Sequence, residues 1–244
     1  MALGEAIRDE AGGAVKRFYA GRGFRPLWAQ NGRLGAAADL LLAHLQSADL
    51  DGLKPSSYDV GELRTRIAAA RSGDPRAIAR AEVALSAALT RYVRDQRKSR
   101  VRMIYADPTL KPRKIKPETV LRAAAFPSAF TDYVRDMAWM SPHYVQLRKL
   151  MARAEQQRLP APEIARLALN LDRARLLPGA WTDHVVVDAS SGRLWYYAAG
   201  RQVGTMRVVV GAPATQTPML VGKLQWAILN PYWNVPTYLA RNSV

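Results

Sequence analysis

The sequence predicts an α+β multidomain protein, in which a long, mostly helical part is followed by a shorter part made of strands. Up to about residue 180, apolar residues recur three and four positions apart, the spacing of one buried helix face. After Pro178 the pattern changes to short β-branched and aromatic runs separated by turn residues, which is typical of hairpins. We therefore predict a helical domain over residues 1–180 and a strand-rich domain over residues 181–244.

Capping signals divide the helical part. Asp74-Pro75 provides an N-cap followed by proline at the first helical position, and predicts a long helix that runs to about Gln96. Asp59 with Glu62 three positions later predicts a capping box that opens the helix directly after Asp59. The other predicted helices cover residues 34–45, 118–125, 128–140, a segment opened by Ser141-Pro142, and 163–176.

Turn residues delimit the remaining segments. The basic, proline-punctuated stretch over residues 107–117 predicts an exposed connection between helices. Strands at short intervals in the second part predict an antiparallel sandwich or barrel-like unit. These predicted strands cover residues 185–187, 194–197, 203–210 and 220–229.

Composition excludes several classes of site. The net charge of +16 favours anionic partners, and the hydrophobic content of 49% argues against global disorder. The sequence has no cysteine, which excludes disulfides and thiolate zinc sites, and its three histidines lack metal-ligand spacing. No run approaches the roughly 18 apolar residues of a spanning helix, and residues 1–15 do not resemble a secretory signal.

Three stretches of the second part carry distinctive motifs: Asp188–Tyr197, Val208-Val209-Val210-Gly211 with Thr217-Pro218, and Asn230-Pro231-Tyr232-Trp233-Asn234-Val235-Pro236. In this order they resemble the first half of the catalytic domain of bacterial L,D-transpeptidases, which cross-link the cell wall. Other stretches resemble the helical scaffold domain that precedes this catalytic domain in a periplasmic subgroup. They are Phe18-Tyr19, Arg25-Pro26-Leu27-Trp28, Asp51-Gly52-Leu53, Ala81-Glu82, Pro142-His143-Tyr144 and Asn170–Arg175.

The resemblance implies acyl transfer on the peptide stems of peptidoglycan in the periplasm, without a metal or cofactor. In this family a cysteine thiolate displaces the terminal D-alanine of one stem, and an amine of a neighbouring stem resolves the thioester. The family motif Ser-His-Gly-Cys has no counterpart here, so we expect a fragment that lacks the nucleophile and is inactive. The short stretch between Tyr144 and Asn170 also leaves no room for a peptidoglycan-binding module.

Site predictions follow from the most specific stretch. The resemblance places Trp233 at the substrate cleft, with Asn230 and Asn234 holding the backbone beside it. A core role for Trp233 and turn capping by the asparagines are the alternatives. His184 lies near Ser190, but no nucleophile elbow is present, so we predict a strand-edge histidine and no catalytic residue in these 244 residues.

Two other functions stay open on the sequence. One is a non-catalytic cell-wall-binding or scaffolding protein, which the missing cysteine permits. The other is a basic helical protein that binds nucleic acid. The charge permits this second function, but the basic residues are spread over the helices and match no known recognition motif, so nucleic acid is not among the predicted partners.

Overall fold

The computed structural model of the protein describes residues 2–98, 100–126, 129–179, 182–230 and 232. Their contacts separate two units. The first contains the described residues of Met1–Arg102 and Pro112–Thr217, and the second contains those of Met103–Lys111 and Pro218–Val244. No helix within these ranges is both long enough and apolar enough to cross a membrane.

The central helix of the first unit, α5 (Pro75–Gln96), packs against several helices that precede it in the chain and against the next one. Its buried stripe is the predicted one, with Ile78, Leu85, Leu89 and Tyr92 at 1% exposure or less. Asp74 caps it, since the carboxylate accepts a hydrogen bond from the backbone N–H of Ala77 at 2.8 Å. The α-helices in the described residues are α1 (Leu3–Glu10), α2 (Gly13–Ala20), α3 (Ala37–Gln46), α4 (Val60–Ala70), α5 (Pro75–Gln96), α6 (Pro117–Ala125), α7 (Phe130–Arg135), α8 (Pro142–Gln156) and α9 (Ala161–Ala174).

Asp51 is a fully buried carboxylate that connects the turn after α3 to α5 and α8. It ends the 3₁₀ turn Ala48–Asp51 that follows α3. Its oxygens accept hydrogen bonds from the hydroxyls of Tyr92 on α5 and Tyr144 on α8, each at 2.6 Å. The Nε of Arg148 on α8 lies 3.0 Å from the same carboxylate. Every oxygen of this buried charge is therefore satisfied, as burial requires.

Arg175 extends this buried network to the end of α9. Its guanidinium donates hydrogen bonds to the backbone carbonyls of Gln96, at 2.9 Å, and of Asp51. Its Nε also donates to the carboxylate of Asp172 at 2.7 Å. The point where the chain leaves α9 is thus attached to the last residue of α5 and to the Asp51 turn.

Antiparallel strands follow α9 in the first unit, in the order β4 (His184–Asp188), β5 (Arg193–Ala198) and β6 (Arg201–Arg207). Val186 pairs with Trp195, and Trp195 pairs with Thr205. Ala199 and Gly200, which join β5 to β6, both have positive φ. Left-handed residues at both turn positions suit a two-residue hairpin, because they match the twist of the strands.

Two short pairings complete the strands. In the first unit β1 (Ala29–Gln30) pairs antiparallel with β2 (Arg33–Leu34) across an Asn31-Gly32 turn, in which both residues have positive φ. In the second unit β3 (Ile104–Tyr105) pairs parallel with β7 (Leu220–Val221). The α+β class, with helices first and strands after, is confirmed, whereas the boundary at residue 180 stays a prediction.

The capping box at Asp59 was wrong. Asp59 has φ +50° and its side chain makes no capping hydrogen bond, while Glu62 pairs with Arg66 one turn later. The reason is the 3₁₀ turn Pro55–Tyr58, which ends in the left-handed conformation at Asp59. An N-cap needs an extended backbone at that position, so the two roles exclude each other.

Two elements are shorter than predicted, and one connection contains a turn that was not predicted. The helix predicted over 128–140 is α7, which ends at Arg135 because Met137 is left-handed with φ +49° and the chain turns. The strand predicted over 220–229 covers only Leu220–Val221, and its partner is β3 rather than an antiparallel neighbour. The exposed connection over 107–117 contains a short 3₁₀ turn, Pro108–Leu110.

The Asp51 cluster yields a stability prediction. We expect Asp51→Asn to lower the free energy of unfolding by about 3–5 kcal/mol. The substitution replaces one accepting oxygen by an NH₂ donor, which would face a buried donor, and it removes the charge that pairs with Arg148. Urea unfolding followed by far-ultraviolet circular dichroism measures the change. Asp39→Asn is the control: Asp39 pairs with Arg71 at 3.0 Å, both side chains are more than half exposed, and the loss should stay below about 1 kcal/mol. Equal effects of the two substitutions would contradict the prediction.

Candidate functional site

The inner face of the sheet lies on helix α8 through an aromatic cluster. Tyr197 on β5 is buried, and its hydroxyl lies 3.2 Å from Nε2 of His143, the second residue of α8. The His143 ring packs edge-on against Tyr197 and Trp195, with centroid distances of 5.4 and 6.0 Å. Tyr196 between them faces the other way and is 39% exposed. The strand alternation therefore directs two aromatic side chains toward the scaffold helix.

His184 takes part in this cluster and not in a catalytic pair. Its ring stacks on Tyr197 at 4.7 Å, and its Nδ1 lies 2.6 Å from the carbonyl oxygen of Thr182. Ser190 instead donates a hydrogen bond to Asp188 at 2.7 Å, past the opposite end of β4. The histidine and the serine thus lie at opposite ends of one strand, as expected for a strand-edge histidine.

The loop after β6 closes on itself at the Thr-Pro pair. The N–H of Gly211 donates to Oγ1 of Thr217 at 2.8 Å, and the N–H of Thr215 donates to the carbonyl of Ala212 at 2.8 Å. A Cβ at Gly211 would overlap the carbonyl oxygen of Thr215. Glycine is therefore required at this position by close approach of the backbone, and Thr217 closes the loop.

Of the predicted substrate-side residues, only Asn230 is described. It is exposed and left-handed, with φ +50°, at a bend in an extended segment. Trp233 and Asn234 lie outside the described residues, so the structure does not bring the three together and their role stays a prediction. In the same segment Trp226 is 74% exposed.

Glu82 is a second buried carboxylate, and its role was not predicted from the sequence motifs. It accepts hydrogen bonds from the hydroxyl of Tyr19 at 2.9 Å and from the backbone N–H groups of Leu27, Trp28 and Ala29. Burial raises the pKa of Glu82 to about 7, and these hydrogen bonds oppose the rise. Glu82 therefore holds the Leu27–Ala29 backbone on α5. The sequence does contain a signal for this role, because Glu82 lies at helical spacing between Ile78 and Leu85 and so falls on the buried face of α5.

A surface groove between α1 and α5 is a weaker candidate. It is lined by Ala6, Asp9, Glu10, Arg76 and Arg80, and most of its charged side chains are exposed. Ligand sites combine apolar enclosure with a few fixed polar groups, and this groove has neither. The described residues also contain no group of His, Asp and Glu side chains that could hold a metal ion.

Comparison with known proteins accounts for both parts of the chain. The family profile of the scaffold domain matches residues 13–151, which is more than half of the sequence. The profile of the L,D-transpeptidase catalytic domain matches residues 182–243. The chain belongs to the L,D-transpeptidase family. The two profiles contain the stretches from which the resemblance was inferred, apart from Asn170–Arg175, so the family assignment is confirmed.

One curated relative supports the same family. A Haemophilus influenzae protein named as a candidate L,D-transpeptidase is 25% identical over 230 residues, which is 92% of this chain and 45% of the relative. The chain thus spans less than half the length of this relative. No solved structure matches the chain.

The raised pKa of Glu82 predicts a stability that depends on pH. A carboxyl group whose folded pKa exceeds its unfolded value of 4.5 contributes stability that is fully present below about 4.5 and is lost as pH rises through about 7. We expect the difference between wild type and Glu82→Gln to shrink by roughly 3 kcal/mol between about pH 4.5 and about pH 8. Urea unfolding at a series of pH values measures it. A difference that does not change with pH would refute the assignment to Glu82.

The Gly211 loop yields a local prediction. We expect Gly211→Ala to open the loop, so that amide exchange of residues 208–218 accelerates by about tenfold or more, since the Cβ would overlap backbone. Hydrogen exchange read by mass spectrometry measures this. Gly61→Ala is the matched control, because Gly61 lies in α4 with open space at its Cβ position and should gain a fraction of 1 kcal/mol. Unchanged exchange in the loop of Gly211→Ala would contradict the close-approach argument.

Proposed function

We propose that the chain supplies the scaffold and the opening part of the catalytic domain of a periplasmic enzyme that cross-links peptidoglycan stems. The observation that carries the proposal is the ordered match of both family profiles, with the scaffold at residues 13–151 and the catalytic domain at 182–243. The packing of the β4–β6 sheet on α8 is consistent with a scaffold that positions a catalytic sheet.

The proposed reaction is an acyl transfer. A thiolate attacks the carbonyl of the diamino acid in a donor stem, the bond to the terminal D-alanine breaks, and a thioester forms. The amine of an acceptor stem then attacks the thioester, which forms the cross-linking amide and returns the thiolate. None of the 244 residues is a cysteine, so in this proposal their part is to position stems and strands rather than to supply the nucleophile.

We assign the substrate side of the site to Trp233, with Asn230 and Asn234 holding the backbone beside it. Stems carry carboxylates, and the net charge of +16 attracts such anionic polymers over a distance set by salt. Electrostatic attraction alone does not discriminate stems from other polyanions, so a role of Trp233 must be tested against a tryptophan outside the motif.

Binding of purified tetrapeptide-stem muropeptides to the 244-residue chain tests the substrate assignment. We expect saturable binding that Trp233→Ala weakens by about tenfold, the loss typical of a buried aromatic anchor. Trp226→Ala, which removes an exposed tryptophan of the same segment, should leave binding unchanged. Equal effects of the two substitutions, or tighter and strongly salt-dependent binding to duplex DNA, would reject the assignment.

Acyl transfer itself is tested on the product of the whole reading frame that contains these residues. We expect that product to release D-alanine from tetrapeptide stems, to form stem dimers, and to take up one carbapenem per chain on a cysteine. The 244-residue chain should take up none, since it has no thiol. A reading frame without any cysteine, together with stem binding by the chain, would favour the non-catalytic wall-binding alternative instead.

A further inference from the structure

The contact between α8 and the sheet is made by three aromatic rings. Tyr197 lies between two histidines, with the His184 ring stacked on it at 4.7 Å and an interplanar angle of 7°, and the His143 ring edge-on at 5.4 Å. One histidine comes from the scaffold helix α8 and the other from the first strand of the catalytic segment. Three side chains therefore join the two family domains at this point.

Hydrogen bonding from Tyr197 defines a neutral acceptor state for His143. When the Tyr197 hydroxyl donates to Nε2 of His143 at 3.2 Å, the His143 proton is on Nδ1. His184 lies with Nδ1 at 2.6 Å from the Thr182 carbonyl, so this nitrogen is the donor of that contact. Nδ1 of His143 and Nε2 of His184 are both buried without a hydrogen-bond partner in the described part of the chain. The Nδ1–H of His143 therefore has no acceptor among the described residues, and protonation at Nε2 would place a second N–H against a hydroxyl that is itself donating.

The surroundings oppose a positive charge on His143. Burial is the largest cause of its lowered pKa, and His184 on β4 adds to the lowering. Asp188, at the far end of β4, acts in the opposite direction but does not reverse it. On β5 the facing groups are Tyr197 and Trp195, which are uncharged at neutral pH. His143 is also in the first turn of α8, where the helix dipole disfavours a cation.

We infer that His143 is a positioning residue whose neutral form holds the β4–β6 sheet on helix α8 and whose protonation releases the sheet. If Nε2 of His143 were protonated, it could only donate to the Tyr197 hydroxyl, and that hydroxyl would then lose the acceptor for its own proton. The positive charge on His143 would also lie in a partly buried place beside His184. The inference goes beyond the proposed function, because it concerns how the two domains are joined and does not depend on the reaction that they support.

The direction of the pH dependence follows from linkage. The folded pKa of His143 is lower than its ordinary value of 6.5, so the folded form binds the proton less tightly than the released form does. The contact is therefore complete above about pH 6.5 and is lost as the pH falls through the lowered value. A dependence of the opposite sign would arise from an acid with a raised pKa, such as Glu82, which belongs to α5 and forms its hydrogen bonds with Tyr19 and the Leu27–Ala29 backbone rather than with the sheet.

Hydrogen exchange of the 244-residue chain as a function of pH tests the inference. After correction for intrinsic exchange rates, we expect protection of residues 184–207 to fall by about tenfold or more between about pH 7.5 and about pH 5, whereas α5 keeps its protection. His143→Gln retains a hydrogen-bond partner for Tyr197 but cannot titrate, so its sheet protection should not change with pH. Tyr197→Phe should lower sheet protection at every pH value.

Controls separate the titration of His143 from that of the remaining histidines. His44→Gln alters another half-buried histidine, on α3 against the Val134 carbonyl, and should leave the response of the sheet intact. His184→Gln should leave a pH response in the sheet, because His143 is unchanged in this variant. A response abolished by His184→Gln but kept in His143→Gln would overturn the assignment, as would flat protection in the wild type.

A measurement on the wild type covers the case in which His143→Gln does not fold. The ring-proton resonance of His143, followed by NMR, should titrate with the same midpoint as the loss of sheet protection. Coincident midpoints would support the inference without any variant. A His143 titration that is complete while the sheet remains protected would overturn it.

Discussion

The structure depends on the need to satisfy one buried negative charge, the carboxylate of Asp51. A buried carboxylate costs several kcal/mol unless donors surround it, and here the donors come from separate helices. Tyr92 belongs to α5, whereas Tyr144 and Arg148 belong to α8. The turn after α3 can therefore be buried only when both helices are in place. This requirement couples the turn, α5 and α8, which are far apart in the sequence.

Helix α8 transmits that constraint to the strands. Ser141 caps the helix by accepting a hydrogen bond from the N–H of Tyr144 at 3.2 Å. The next turns supply His143 to the sheet, and Tyr144 and Arg148 to Asp51. Adjacent residues of one helix thus serve the scaffold core and the sheet contact at once. A shift of α8 would disturb both, which gives the scaffold a physical means of positioning the sheet.

Glu82 and Asp51 are both buried carboxylates, but different donors surround them. Arginine donates to Asp51, whereas the donors to Glu82 are the Tyr19 hydroxyl and backbone N–H groups. With no cation among these hydrogen-bond donors, burial dominates at Glu82 and raises its pKa. His143 is the opposite case, a base whose pKa is lowered by burial. The scaffold and the sheet contact are consequently expected to respond to pH in opposite directions.

Local signals in the sequence determined the helical first part, the strands after it, the caps at Asp74 and Ser141, and the order of family motifs, because these depend on residues close together in the chain. The cap at Asp59 failed because a turn just before it changed the backbone. The partner of β7, the Asp51 cluster and the contact between His143 and Tyr197 were decided only by the tertiary structure. These partners are far apart in the chain and meet only when the elements pack. A local pattern predicts that a residue is buried or in a strand, but it does not predict which distant residue it contacts.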